Sequence, residues 1–411
     1  MRLYAQRTFT AAIASACLLC GSIATAKKPD KPGGGGDGDS SAPYRVVQLP
    51  FDGLPYAISE VGNAGTVTVA INSTEAGYGS AAFARVEANT GNVLESGFLP
   101  EPPTIDPDDG LPGNLGSSAS DVNVAGSIVG HAMAYDPTST GDLNPRRAVY
   151  WSDAGAGYAC ELLALPSGSA DSYATAINNW SQIVGSASTG SDQMAVLWDG
   201  TTGTVADLNT QATADLGWDL RVAGDINDDG LVIGYGTLNG QFRGFLLDSL
   251  TNNIWPVPLV GPATENSAYR INACGCVVGS MWNGSGQGYG TDPDYVVGYF
   301  WDPAEPNPQV LPPTNLNTCR ANALNDLGAT VGASYIPTDD IFGIYSIPTL
   351  WEHDAQGGVV TTDLNTQIPD SPGYTLVWTG GINNTGWIGV EGRKRSRGRY
   401  SWHALVLIPN N

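Results

Sequence analysis

The chain carries little charge: 14% of its 411 residues are Asp, Glu, Lys or Arg, against about a quarter in ordinary soluble domains. It has only three histidines, at His131, His353 and His403, too scattered to nominate a pair. No H-E-x-x-H or G-x-S-x-G segment occurs, so zinc-peptidase and serine-hydrolase chemistry has no linear signature. Beyond the first 26 residues no apolar run approaches the 18 or so residues that a membrane helix needs, and membrane insertion is not expected. Basic residues are scarce as well, 18 Lys and Arg against 40 Asp and Glu for a net charge of −22. That balance favours solubility and repels nucleic acid and anionic bilayers.

Turn formers are abundant. Gly 53 and Pro 27 together make about a fifth of the chain, too many for a helical bundle and without the triplet period of collagen. With 42% hydrophobic residues and 11 Trp, there is enough apolar surface for a large core.

The N-terminus reads as an address. Arg2 and Arg7 precede an uncharged run through Ala11, Ile13, Leu18, Leu19 and Ile23, which ends in Ala24-Thr25-Ala26. This is the pattern of a secretory signal over residues 1–26, and we expect a secreted protein, extracellular or periplasmic, or one held at the cell surface. A lipid anchor at Cys17 or Cys20 is the weaker reading, since Leu19 stands where a small residue should precede Cys20. Loss of the signal would leave a net charge of −24. Residues 27–43, rich in Gly, Pro, Lys and Asp, read as a flexible linker. Four cysteines follow, Cys160, Cys274, Cys276 and Cys319. In an oxidising compartment they suggest a structural disulfide, with a bridge from the Cys274/Cys276 pair to Cys319 as one possibility among three pairings.

Residues 44–411 are a repeat array. The segments 119–130 (ASDVNVAGSIVG), 174–185 (ATAINNWSQIVG), 223–234 (AGDINDDGLVIG), 268–279 (AYRINACGCVVG) and 321–332 (ANALNDLGATVG) share the frame A-x-x-[IVL]-N-x-x-G-x-x-x-G. Degenerate copies at 58–69 and 379–390 bring the number to seven. The asparagine position falls at Asn123, Asn178, Asn227, Asn272, Asn325 and Asn383, with Gly62 as the exception. Each unit continues with a third apolar segment, often ending in Trp as at Trp151, Trp198, Trp301 and Trp351, and most then show a turn and a fourth. Four short strands per unit predict an antiparallel sheet, and seven units predict an all-β, seven-bladed β-propeller. The seventh unit runs out after its third segment, whereas residues 44–49 (YRVVQL) precede the first unit with fourth-strand character. The N-terminal strand should therefore pair into the last blade and close the ring.

These repeats resemble the bacterial extracellular HAF-repeat family, named for a His-Ala-Phe tripeptide leading into the third segment. His403-Ala404-Leu405 comes nearest and Ala82-Phe83 keeps two letters, while other copies place Arg147, Met194 or Arg243 at the His position. The resemblance implies a secreted, propeller-like protein and brings no active site with it.

Loops supply the candidate sites. The repeated Asn and Gly read first as tight-turn residues. Asp225, Asn227 and Asp229 also satisfy the D-x-[DN]-x-[DN]-G opening of a Ca²⁺ loop, but Ile233 and Gly236 stand where its later oxygen ligands belong. Topology should place the short turns at one end of the blades and the long connections at the other. That long-loop face gathers Asp106, Asp108, Asp292 and Asp294 with Trp282 and several tyrosines, a mixture suited to sugars. It also carries Arg393, Lys394, Arg395, Arg397 and Arg399, five basic residues within seven positions, which suit an anionic surface. The expected function is a noncatalytic, monomeric propeller binding glycan or protein through that face, with no required cofactor. The alternative is a glycan-degrading enzyme that pairs Asp106 or Asp108 with Asp292 or Asp294.

Overall fold

The computed structural model describes residues 42–74, 79–102, 116–133, 145–284, 296–335, 346–369 and 373–410, apart from single positions 156, 191, 315 and 317. Within them, 28 strands form seven four-stranded antiparallel sheets, the blades of a propeller. The innermost strands of blades 1 to 7 are Gly53–Ile58, Ser117–Val122, Asp171–Ile177, Trp218–Ile226, Glu265–Ile271, Thr318–Leu324 and Tyr374–Ile382. The ring closes as the sequence predicts. Tyr44–Gln48 forms the outermost strand of blade 7, pairing with Arg399–Pro409 from Tyr44 opposite Pro409 to Gln48 opposite Leu405. No described helix is long and apolar enough to cross a membrane.

Apolar residues fill the spaces between blades. Trp151, Trp198 and Trp351 end the third strands of blades 2, 3 and 6 fully buried. Each indole Nε1 donates to a carbonyl at the end of the preceding blade: Pro100, Ala164 and Pro312, at 2.7–2.8 Å. The ring supplies the area and its one polar atom finds an acceptor, as burial of Trp requires.

The repeat motif has a local geometric cause. In each of the seven blades the inner strand carries a β-bulge, between Ala119 and Asp121 in blade 2 and at matching positions elsewhere. The bulge presses the inner backbone against the second strand, where Gly130, Gly185, Gly234, Gly279 and Gly332 sit. A Cβ on Gly130 would lie 1.9 Å from the Ser118 carbonyl oxygen, so the last Gly of the motif is sterically obligatory.

The motif asparagines do more than cap turns. Asn325 accepts from the amides of Leu327 and Ala329, shaping its own turn. Its Nδ2 then donates to the Asn383 carbonyl of the next blade at 3.1 Å. The same inter-blade bond links Asn123 to Asn178, Asn178 to Asn227, Asn227 to Asn272, Asn272 to Asn325, and Asn383 to Ser59. A belt of buried amides therefore runs around the channel and crosses from the last blade to the first. It is open between blades 1 and 2. There the hairpin is longer and the roles divide: Gly62 makes the turn, while Ser59 takes the belt position and its hydroxyl donates to Glu60 instead. Across that junction Arg85 reaches Asp153 at 2.8 Å and Glu95 of its own blade at 2.7 Å. Its guanidinium lies 5.5 Å from the ring centres of both Phe83 and Tyr158.

The expected bridge to Cys319 is not formed. Cys160 and Cys319 are free thiols, so neither member of the Cys274/Cys276 pair is bonded to Cys319. Cys274 and Cys276 lie in the turn after the inner strand of blade 5, whereas Cys319 is the second residue of the inner strand of blade 6, at its opposite end. Five residues of extended chain, at about 3.3 Å each, separate those levels. The Cys319 thiol is instead held in place between the Leu311 carbonyl and the Gly298 amide.

Candidate functional site

Each bulge breaks the alternation of an inner strand beside the central channel, which is how bulges re-aim side chains at functional positions. From blade 1 to blade 7 the residue pairs at the bulges are Tyr56-Ala57, Ser120-Asp121, Thr175-Ala176, Gly224-Asp225, Tyr269-Arg270, Asn322-Ala323 and Gly380-Gly381. They occupy the variable x-x of the A-x-x-[IVL]-N frame in five blades. Apart from Asp225, nominated only as a Ca²⁺ ligand, they drew no notice in the sequence, where the constant letters of the frame stand out. The signal was present: a variable dipeptide inside an invariant frame holds Asp, Arg and Tyr where a strand facing a core would alternate.

Arg270 divides the channel. On the short-turn side lies a cavity of about 220 Å³ lined by the belt asparagines, Asp121, Asp225 and the more exposed Glu60, Asp228 and Asp326. On the long-loop side lies one of about 370 Å³ lined by Tyr56, Tyr235, Tyr269, Trp378, Asn322, Arg270 and Arg320. The first is acidic. The charged groups of the second are two guanidiniums, with no carboxylate among its described lining. Arg270 donates to the carbonyl of Tyr269 at 3.1 Å and lies 3.4 Å from that of Ser120.

Behind Arg270 stand two buried carboxylates from different blades. Asp121 accepts from the Ile177 amide at 3.0 Å, and Asp225 accepts from those of Ile226 and Ile271 at 2.9 and 2.8 Å. Burial pushes the Asp225 carboxyl up to about 7, with Arg270 opposing that rise and Asp121 adding to it. Asp121 is raised by burial as well, again against Arg270. Between its ordinary value of 3.8 and about 7, Asp225 thus holds a proton in the folded state that the unfolded chain has released. Folding stability should fall as pH rises through that window, by up to about 1.4 kcal/mol per pH unit for one proton, and level off above it. Urea midpoints at about pH 5 and about pH 8 would measure the drop, and Asp225→Asn should remove most of it. Equal wild-type midpoints would contradict this assignment.

The residues nominated from sequence are placed as follows. In the Ca²⁺-like turn, the Asn227 oxygen is taken by the amides of Asp229 and Leu231, and the Asp225 oxygens by the two isoleucine amides. A cation there would have to displace a donor from the Asn227 oxygen, whose two lone pairs are both used. Among the described residues no three His, Cys, Asp or Glu side chains gather as a metal-binding group. Trp282 is corrected: it is 1% exposed, and its Nε1 donates to Glu265 at 2.7 Å within blade 5. The second strand, Val277–Trp282, extends to this residue and tucks the indole inside, so it is not a stacking platform for a ligand. Asp106, Asp108, Asp292 and Asp294 lie outside the described residues.

The five basic residues are brought together. The second and third strands of blade 7, Ile388–Ser396 and Arg399–Pro409, are nine and eleven residues long, against six to eight for their counterparts. They meet in a two-residue turn in which Arg397 (φ 49°) and Gly398 (φ 80°) are both left-handed, the geometry that suits a tight hairpin. Arg393 pairs with Trp402 and Arg395 with Tyr400, and directly opposed residues share a face. That face therefore carries two guanidiniums and two rings, with Tyr400 54% and Trp402 37% exposed. Arg393 and Arg395 lie 5.0 and 5.9 Å from the centre of the Tyr400 ring. On the other face Lys394 lies 5.3 Å from the Tyr374 ring.

No protein-family model matches the chain, and no curated protein matches it in sequence. Solved structures are similar in overall chain course. An oligogalacturonate lyase from Vibrio parahaemolyticus aligns over 90% of this chain and 91% of its own, at 11% identity and TM-score 0.49. The polysaccharide lyase Uly1 aligns over 95% and 94%, at 10% identity and TM-score 0.48. TolB from Acinetobacter baumannii aligns over 88% and 80%, at 13% identity and TM-score 0.39. At such identities these likenesses concern the fold and transfer no activity.

Proposed function

We propose that this protein is a noncatalytic, secreted or surface-associated propeller that binds an acidic polysaccharide through its long-loop face. The observation that carries this reading is the blade 7 hairpin. On a chain of net charge −22, it concentrates Arg393, Lys394, Arg395, Arg397 and Arg399 in one ribbon, one face of which sets Arg393 and Arg395 beside the exposed rings of Tyr400 and Trp402. Among the described residues none of the five forms an ion pair. Cations interleaved with aromatic faces can hold anionic groups while the rings cover the C–H faces of sugars. A rigid two-stranded support keeps the entropic cost of ordering them small. The signal-like N-terminus and the HAF-repeat resemblance agree with an extracellular setting.

Retention on heparin tests this. The wild type should bind at low salt and elute as salt rises, because exposed charge contacts are screened. A variant with all five residues changed to Ala should pass through unretained. Equal elution salt for the two proteins would remove the hairpin as the binding element.

A further inference from the structure

We infer that the channel cavity on the long-loop side is a second binding site, one that takes a single uncharged pyranose ring. It goes beyond the hairpin reading and shares no residue with it. Its volume of about 370 Å³ falls in the range of small-molecule sites, roughly 300–1,000 Å³. The walls are unequal. Blades 2, 3 and 4 present the small residues Ser120, Thr175 and Gly224, whereas blades 1, 5 and 7 present Tyr56, Tyr269 and Trp378. One side of the channel is therefore left open against a wall of rings.

The rings supply flat faces that can cover the C–H face of a sugar. Tyr56 is 40% exposed, and Tyr269 and Trp378 are partly exposed. Arg320 steadies Tyr269, donating to its hydroxyl at 3.2 Å and lying 5.2 Å from the ring centre. Polar capacity stands beside the rings. The indoles of Trp151, Trp198 and Trp351 each donate to a carbonyl, whereas Trp378 Nε1 has no acceptor among the described residues. Asn322 donates through Nδ2 to the Thr379 carbonyl at 3.3 Å, which leaves its side-chain oxygen to accept from a ligand hydroxyl. Arg270 forms the floor. Its charge already faces Asp121 and Asp225, so a ligand carboxylate would gain little from it. An apolar ligand would leave the indole N–H and the amide oxygen without partners, and a small polyol would leave the rings wet. A neutral pyranose meets both.

Saturation-transfer NMR and tryptophan fluorescence on the whole protein test the assignment, with the methyl glycosides of D-glucose, D-galactose and D-mannose as probes. At least one should bind in the millimolar range or tighter. Glycerol and phenol, which each offer half of the contacts, should bind about fivefold more weakly than that sugar. The uronate of the same sugar should bind no more tightly than the sugar itself. Trp378→Phe keeps a ring and removes the N–H, and Tyr56→Ala removes an exposed ring. Each should weaken the sugar about fivefold and leave melting temperature and heparin elution unchanged. The five-alanine hairpin variant should lose heparin retention and keep its sugar affinity, so the two sites stand or fall separately. Three outcomes would each overturn the proposal: no binding of any glycoside at tens of millimolar, a uronate, phenol or glycerol that binds as tightly as or more tightly than a neutral glycoside where equality is excluded above, or wild-type sugar affinity in both ring variants.

Discussion

Replacing Asn325 with Ala should lower the stability of the whole propeller by roughly 2–4 kcal/mol, because three hydrogen bonds of one buried side chain vanish together. Two backbone amides, of Leu327 and Ala329, lose their acceptor, and the Asn383 carbonyl loses its donor. Asn325→Asp separates the two roles. A carboxylate still accepts from both amides but has no hydrogen to give, and it sets a negative charge against a carbonyl oxygen. We expect the Asp variant to retain its turn, to be destabilised as well, and to regain stability in acid, where the protonated group can donate. Urea denaturation at neutral and acidic pH distinguishes these cases. An Ala variant within about 0.5 kcal/mol of the wild type would show that the belt is incidental to stability.

Deleting residues 44–49 should be the more damaging change. The strand Tyr44–Gln48 contributes five residue pairs to Arg399–Pro409, and the Leu49 amide adds a bond to the Ala404 carbonyl. Leu49 itself is 1% exposed and packs with Val69, Val86 and Val406. Without these residues a long apolar strand through Leu405 and Leu407 would present an unpaired edge, and exposed edges recruit other chains. We expect a lower melting temperature and oligomers on size-exclusion chromatography with light scattering. An unchanged melting temperature together with a monomer would contradict the closure.

The blade count and the closing strand were legible in the sequence because they rest on regularities the chain repeats seven times. Alternation, turn residues and the phase of the units are local properties, and each copy reinforces the others. The candidate site was not legible in the same way. The bulge breaks alternation where Ser120-Asp121 and Tyr269-Arg270 enter the channel, so these pairs read as noise between constant letters, and Asp225 stood out only for its Ca²⁺-like spacing. Their convergence comes from radial symmetry, which no linear spacing displays. Trp282 misled for the complementary reason. Its place at the end of an apolar segment beside a long Gly-rich stretch suggested exposure, but the pairing partner Glu265, 17 residues earlier, draws it inside. At Gly62 the turn chemistry was visible, but the three-residue offset to Ser59 follows from a longer hairpin that only pairing reveals.

The break in the amide belt changes how one joint of the wheel is fastened. A ring made from one chain would be expected to open where its two ends meet, yet that joint is doubly fastened, by the strand Tyr44–Gln48 and by the Asn383 bond to Ser59. The gap lies one blade further on, where Arg85 and Asp153 substitute an ionic latch for a neutral hydrogen bond. Neutral amide bonds are indifferent to dissolved ions, whereas a partly exposed charge pair weakens as they accumulate. The architecture thus sets one joint that responds to the surrounding medium a blade away from the covalent gap.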